Sequence, residues 1–544
     1  MSVIGDIPHI PIYAYQPPLQ AMPFHEFVAG NDAFTLAQIA RLRQRRHHPA
    51  TQVAFDATIA ELAAGDCSPA RSKAQLDAEF GVGQWRAIDR FVLSKRRLDG
   101  TLKLRPCDNA RSSRHNDATA NPNRVRLPSA RTPAAIASAF RAAGCRATLH
   151  LGVDDMANAY RRVPSGQLNY SIVAVCHPAS GAVQYHQIYG LNFGLSASVS
   201  QFSRLPHFLC ASVCTLLAVP TDNYIDDIMH VDRAGALGQR FANRLFASLG
   251  THFQLSKQLA SAPANTILGV HTELTFSTCI LTPHRTRASY LINELKALRA
   301  ARIVHPDRAL SLASQLSFMF AATAMRIGRS ILRPLYLWGN RSSPTLLTDT
   351  DLDAVDAVIA FAQASPPHVL PLVPASPVVI YTDAHARSGT SSFGVGGLLY
   401  VDGASYVFSA RVPSALIAAI RHHAPNPDVI IAHLELLAVP TAIQSFSALI
   451  ANRSVFFFVD STTAMGALAN GTSSADALAA LARYTHVLMA NEVPDYWFEW
   501  ISTRVNPADG PSRGLLPDTA TQVAPIFPLA ATLFSTQATL ALLK

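Results

Sequence analysis

Hydrophobic and polar positions change their period several times along the chain, and each change marks an element boundary. From Trp85 to Leu281, short apolar runs that read as strands mix with stretches of helical spacing, which predicts an α+β domain. Residues 285–338 place apolar side chains three and four apart (Leu291, Leu295, Leu298), the spacing of one helix face. The stretch 364–377 is rich in proline, which removes backbone donors and fixes φ, so it predicts an extended linker. The pattern then restarts. Val378–Asp383, Phe393–Tyr400 and Tyr406–Val412 read as strands, followed by a helix near 433–450 and the apolar strand Ser454–Asp460. Two helical stretches, a strand Tyr496–Ser502 and a short helix or turn from Asn506 complete the order. β-β-β-α-β-α-α-β-α predicts a second, α/β domain. The expected division is therefore 1–84, a weakly patterned and partly basic extension; 85–284; 285–345, helical; 346–377, a connection ending in the linker; 378–515; and a tail, 516–544.

Composition narrows the class. With 544 residues there is room for two to four domains, and 49% hydrophobic against 15% charged residues excludes a disordered chain. The apolar runs 208–219 and 479–489 fall short of the ~18 residues of a membrane span, and Pro525 and Pro528 interrupt the run from Val523 to Leu543. No membrane partner is expected. No basic segment followed by an apolar one opens the chain, and seven cysteines show no repeated Cys-x-x-Cys. An intracellular setting, cytoplasmic or nuclear, follows as the expectation. The net charge of +9 points weakly to a polyanionic partner. The basic run Arg41–His48 is read as a solvated helix face rather than a nucleic-acid contact. Cys210 and Cys214 lie in an apolar helical run and are read as core, and Gly394-Val395-Gly396-Gly397 as close strand packing, because it does not open a helix.

Candidate chemistry begins at Asn223-Tyr224-Ile225-Asp226-Asp227-Ile228-Met229, two carboxylates between apolar runs. Alone this fits an acidic hairpin turn as well as a site. A second acidic element, a strand ending at Asp154-Asp155 with Tyr160 five residues beyond Asp155, shifts the balance. Hard divalent cations take oxygen ligands, and two of them can clamp the attacking and leaving oxygens of a phosphoryl transfer. The spacing to Tyr160 favours Asp155 as the ligand, leaving Asp154 facing solvent or a backbone donor. By the same alternation Asp226 reaches the metals and Asp227 supports them electrostatically.

These motifs, in this order, resemble a reverse transcriptase over about residues 90–340. The segment 98–106 resembles the fingers hairpin, where Arg105 and one of Lys95, Arg96 and Arg97 would meet the incoming triphosphate. Asp155–Tyr160 resembles the motif bearing the first metal aspartate and the aromatic gate against a ribose 2′-OH. Tyr189–Ser198, with Phe193 and Gly194, resembles the segment under the nascent base pair, although Asn192 stands where the family usually has proline. Leu255-Ser256-Lys257 resembles a lysine-bearing element, which would give Lys257 a phosphate to bind.

After the linker, Asp383 and Asp460 end apolar strands, Glu435 lies amid leucines of a helix, and Asp509 opens the last helix. Four carboxylates on this element order would repel one another unless cations held them. Order and residue types resemble RNase H across 376–515, and Leu434-Glu435-Leu436, Asp460–Ala464 and Asn506–Arg513 resemble most the DIRS-type and gypsy-like retrotransposon branch. The histidine that many RNases H carry shortly before the final aspartate is not there; His486 is the nearest upstream.

The resemblance implies a right-hand polymerase of fingers and palm (85–284) and thumb (285–345), then an α/β RNase H-like domain with a mixed five-stranded sheet. It implies RNA- and DNA-directed DNA synthesis and cleavage of the RNA strand of hybrids. The metal ligands would be Asp155 and Asp226 in one site and Asp383, Glu435, Asp460 and Asp509 in the other. Each site would hold two Mg²⁺, with Mn²⁺ an alternative. RNA template, DNA primer, RNA–DNA hybrid and dNTPs would be the partners. Two other readings stay open: a silent nucleic-acid-binding relic, and a polymerase whose second domain serves only as a tether.

Overall fold

The computed structural model describes residues 1–96, 101–323, 326–365, 367–373, 376–386, 393–424, 426, 430–493 and 495–543. It is a mixed α/β structure with several sheets, in two compact units: Met1–Ser129 with His150–Ala262, and Ala130–Leu149 with Pro263–Lys544. Among the described residues no helix is long and apolar enough to cross a membrane.

In the first unit the N-terminal extension is ordered, with helices Asn31–Gln44, Pro49–Ala63 and Lys73–Phe80. Its weak pattern has a physical cause. The helix Asn31–Gln44 buries Asn31, Thr35 and Gln38 beside a single leucine, Leu42, so its inner face reads as largely polar. Gln38 donates to the Ala87 carbonyl (3.0 Å) and to Asp89, which also pairs with Arg41 at 2.8 Å. The basic run is thus mixed: Arg41 is tied to the fold, while Arg43, Arg45, His47 and His48 remain in solvent. One four-stranded sheet runs in the order Leu102–Asn109, Ala87–Arg96, Ile172–Cys176, Val183–Gln187. The other runs Thr221–Tyr224, Asp227–Arg233, Leu149–Asp155, Leu259–Ala262. Helix Ser196–Leu217 covers this region with Phe202, Leu209 and Val213, all fully buried. Cys210 is core as expected, whereas Cys214, one turn on, is exposed.

In the second unit an antiparallel sheet runs Ala264–Ile267, Val270–Leu274, Thr278–Pro283, His368–Pro371. Its last strand comes from the proline-rich stretch. Within it, residues 368–371 are extended, and they pair with 278–281 rather than span open solvent. The expected division at 364–377 is not where compactness breaks; that lies after Ala262. The helices of 285–345 pack within the same unit as the downstream sheet, and Arg326, Arg329 and Arg333 donate to the carbonyls of Leu468, Asn470 and Ser474.

The downstream sheet has six strands rather than five, in the order Asp495–Trp500, Ser454–Val459, Val378–Ala386, Phe393–Val401, Ala404–Arg411, Thr521–Gln522. The sixth is two residues of the expected tail, paired parallel to Tyr406 and Val407, and a strand so short has no readable period. Beyond it Leu533, fully buried, joins the core of this sheet. Helix Ile431–Ser445 is buried nearly all round, and its Leu434, Leu436, Leu437 and Val439 belong to the same core as Ile380 and Phe457 of the sheet. Each such side chain contributes roughly 1.5–3 kcal/mol on burial, which fixes this helix against the sheet before any charge is considered.

Candidate active sites

In the first unit the hairpin that carries Asp226 and Asp227 turns in two residues, because Tyr224 pairs with Asp227. Ile225 sits there at φ +55°, a left-handed conformation that a β-branched side chain adopts only under strain. The Asp226 carbonyl accepts from the Met156 amide at 3.0 Å, which seats the turn beside the end of the strand Leu149–Asp155. Asp155, Asp226 and Asp227 therefore meet. Burial, with the Asp155 charge behind it, raises Asp226 above the ordinary carboxylate range; burial, Asp226 and Asp155 push Asp227 up to about 6. Both aspartates of the turn feel Asp155, so the structure does not separate their roles as strand alternation did. Lys257 donates to Asp155 Oδ1 at 2.8 Å. The lysine thus lies on the carboxylate cluster itself.

Tyr160 follows on a short 3₁₀ turn, Ala159–Arg162, entered through Asn158 at φ +52°. Its ring stacks on Phe202 (centroids 4.7 Å apart) and meets Phe193 at 4.9 Å. Burial, then the Asp226 charge, pushes its hydroxyl up to about 12, so the phenol stays protonated beside the carboxylates. Gly194 has φ +92°, and a Cβ there would stand 2.2 Å from the Asp108 carbonyl, so only glycine lets this segment lie so close. Arg105 is exposed on the strand Leu102–Asn109, opposite Leu93. Arg97 and the tip at 98–100 lie outside the described residues, as do the side chains of Lys95 and Arg96.

One residue, Asp154, behaves differently from expectation. Asp154 faces neither solvent nor a backbone donor. It is fully buried and accepts from His230 Nε2 (2.9 Å), Gln239 Nε2 (3.1 Å), Asn243 Nδ2 (3.1 Å) and Gln258 Nε2. Burial alone would raise it; these donors hold it below its ordinary value. Its partners come from three distant elements, which no local spacing could announce. Asn192, the departure from proline, is fully buried and its loop is held by other bonds: Leu191 donates to the Tyr160 carbonyl (3.0 Å) and accepts from Arg161 (2.5 Å).

In the second unit the sheet register itself builds the site. Val378–Ala386 and Ser454–Val459 run parallel with Thr382 opposite Val459, so Asp383 and Asp460 emerge side by side; Asp460 follows the end of its strand, whereas Asp383 does not end its own, which continues to Ala386. Helix Ile431–Ser445 brings in Glu435. One ligand atom from each of the three lies within 4.8 Å of the others. Among the described residues no other group of three or more His, Cys, Asp or Glu is gathered so tightly, the first-unit aspartates included. Asp509 adds its charge from the edge. The Asn506 side chain donates to the Thr382 carbonyl (3.0 Å) and anchors the turn that bears it. Gly394 and Gly396 admit the helix Asp509–Ser512, because a Cβ at either would stand 2.2–2.3 Å from the Ser512 backbone. Close packing was the expected use of these glycines. Arg513 pairs with Asp509 at 2.6 Å.

Burial first, then mutual repulsion, pushes Asp383 up to about 7 and Glu435 up to about 10. Glu435 Oε2 is buried without a hydrogen-bond partner. An orphaned oxygen in a tight carboxylate trio fits a divalent cation, which removes the repulsion by supplying charge. The same shifts set a pH dependence. The folded state keeps protons that the unfolded carboxyls, near 3.8 and 4.5, release. The associated stability is therefore complete below those values and is lost as pH rises through about 7 and toward about 10. Metal-free protein should accordingly melt several degrees lower at about pH 9 than at about pH 6, and Mg²⁺ should raise Tm more at the higher pH. Thermal melts at both pH values, with EDTA or Mg²⁺, check this. A metal-free Tm that rises across the window contradicts it.

His486 cannot take the place of the missing histidine. It is buried and bonded to the Tyr496 hydroxyl (2.8 Å) and the Leu468 carbonyl (2.9 Å), and burial pushes it down to about 3.

No protein-family model matches the chain, and no curated protein does. Among solved structures it is similar to a foamy viral protease-reverse transcriptase in complex with double-stranded DNA, at 13% identity and a TM-score of 0.43, covering 91% of this chain and 84% of that one. A likeness of this size carries no argument about activity; the side chains carry it.

Proposed function

We propose that the chain is an RNA- and DNA-directed DNA polymerase of a retroelement, of the DIRS-type or gypsy-like branch, with a second site that cleaves the RNA strand of RNA–DNA hybrids. The observation that carries the reading is the Asp383–Glu435–Asp460 trio, produced by sheet register and a buried helix, in a chain whose other unit holds a second aspartate set beside a stacked tyrosine. Asp155 and Asp226, with Asp227 beside them, would hold divalent metal in the polymerase site; Asp383, Glu435, Asp460 and Asp509 would hold it in the nuclease site. Bound metal would supply Lewis acidity and charge neutralisation for in-line phosphoryl transfer at each site. Lys257 would accompany the triphosphate, and Arg105 would approach it from the fingers hairpin. Phe193 and Gly194 would form the floor under the new base pair.

The silent-relic reading is disfavoured by the survival of all seven carboxylates, since buried repelling anions without a ligand cost stability. Primer extension on a labelled RNA template with Mg²⁺, followed by gel analysis of the template strand, tests both activities at once. Extension without loss of the template would favour the tether reading.

Tyr160→Ala should raise ribonucleotide incorporation on the order of a hundredfold relative to dNTP, because the ring wedged between Phe193 and Phe202 would no longer oppose a 2′-OH. Single-nucleotide incorporation with dNTP and rNTP measures it. Unchanged discrimination would remove Tyr160 from the nucleotide site.

A further inference from the structure

Directly after Tyr160 the chain enters a network of buried ions. Arg161 donates through Nε (3.0 Å) and Nη2 (2.7 Å) to Oε1 of Glu61, on the helix Pro49–Ala63 of the N-terminal extension. The other Glu61 oxygen accepts from Arg90 Nη1 at 2.6 Å. Arg90 also holds Asp108 Oδ1 at 2.9 Å, and Asp108 Oδ2 lies 3.6 Å from Arg161 Nη2. Two carboxylates and two guanidiniums close a neutral ring in which Arg90, Asp108 and Arg161 are almost wholly buried.

The walls of the tyrosine pocket hang from Arg161. Its Nη1 donates to the Leu191 carbonyl at 2.5 Å, and its guanidinium lies over the Phe193 ring at 5.1 Å. Its backbone abuts Gly190 so closely that a Cβ there would stand 2.5 Å from the Arg161 Cα. The Leu191 amide in turn holds the Tyr160 carbonyl. Phe193 and the 190–191 backbone, two sides of the pocket around Tyr160, thus depend on one guanidinium whose orientation Glu61 sets.

We propose that Glu61 is a positioning residue for sugar selection, holding Arg161 and through it the Tyr160 ring, so that the N-terminal helices are part of the nucleotide site. The proposal rests on the polymerase reading above. Glu61→Gln leaves a shape of equal size but one carboxylate against two guanidiniums, and Arg161 loses its charge-assisted partner. Movement of the ring by a fraction of an ångström changes discrimination because selection is steric.

The experiment uses the full-length chain in single-nucleotide incorporation with dNTP and rNTP, for wild type, Glu61→Gln, Glu61→Asp, Arg161→Lys, Tyr160→Ala and the Glu61→Gln/Tyr160→Ala double variant. Glu61→Gln should lower the dNTP-over-rNTP ratio on the order of tenfold, more through KM than kcat. Glu61→Asp should recover part of the loss, and Glu61→Gln should change nothing further once Tyr160 is alanine. If Glu61→Gln does not fold, Arg161→Lys, which keeps the charge and loses the fork, is read by the same ratio. Equal slowing of both nucleotides, or a ratio unchanged in both single variants while wild type discriminates, overturns the proposal alone. A wild-type chain that extends no primer brings down the polymerase reading and this proposal with it.

Discussion

Asp226→Asn should lower primer extension by about a thousandfold or more while leaving template-primer affinity within about threefold of wild type. The substitution keeps size and hydrogen-bonding shape at the strained turn but removes one of the charges that gather with Asp155 and Asp227. Metal stabilisation of a phosphoryl-transfer transition state amounts to several kcal/mol, and each 1.4 kcal/mol is about tenfold in rate. Duplex affinity comes chiefly from basic groups on phosphates, which the change does not touch. Extension kinetics together with a binding titration on the same template-primer separate the two effects. Synthesis near the wild-type rate would remove Asp226 from the site, and a matching loss of binding would make the residue structural.

Asp460→Asn should abolish cleavage of the RNA strand, by a similar factor, and leave primer extension within about twofold. Asp155→Asn should do the reverse. Asp460 belongs to the trio formed by the parallel register of two strands in the second unit, whereas Asp155 ends a strand of the first unit with its own buried core. Each substitution takes one anion from one site. Asp460→Asn should also lessen the repulsion on Asp383 and Glu435 and so flatten the pH dependence of metal-free stability. Both variants are assayed on one labelled RNA–DNA hybrid, for extension and for cleavage. If folded Asp460→Asn loses both activities equally, the two-site reading fails and the downstream carboxylates are structural.

The parts of this protein that are legible in its sequence are those set by local pattern. Apolar runs ending in Asp383 and Asp460, the Asp226-Asp227 turn, and the five-residue step from Asp155 to Tyr160 each span only a few consecutive residues, where side-chain period and spacing suffice. The helix Asn31–Gln44 escaped because its inner face is largely Asn31, Thr35 and Gln38, and the Asn31 and Gln38 side chains are satisfied by partners on other segments. The sixth strand is two residues long and exists only where Tyr406 and Val407 offer it backbone partners.

By itself, then, the sequence determined the main strands and helices that carry the acidic residues, though not the helix Ser414–His423, and which side chains could do chemistry, because both follow from local periodicity and residue type. Tertiary structure alone decided which of those side chains meet. The register of Thr382 on Val459 makes neighbours of Asp383 and Asp460, and a buried helix adds Glu435. Chain folding likewise made Asp154, expected to face solvent or a backbone donor, a buried acceptor of four side-chain donors, and joined Glu61 to Arg161 across 100 residues. Burial of charge has no local signature: its cost is recovered only through partners that the fold brings from far along the chain.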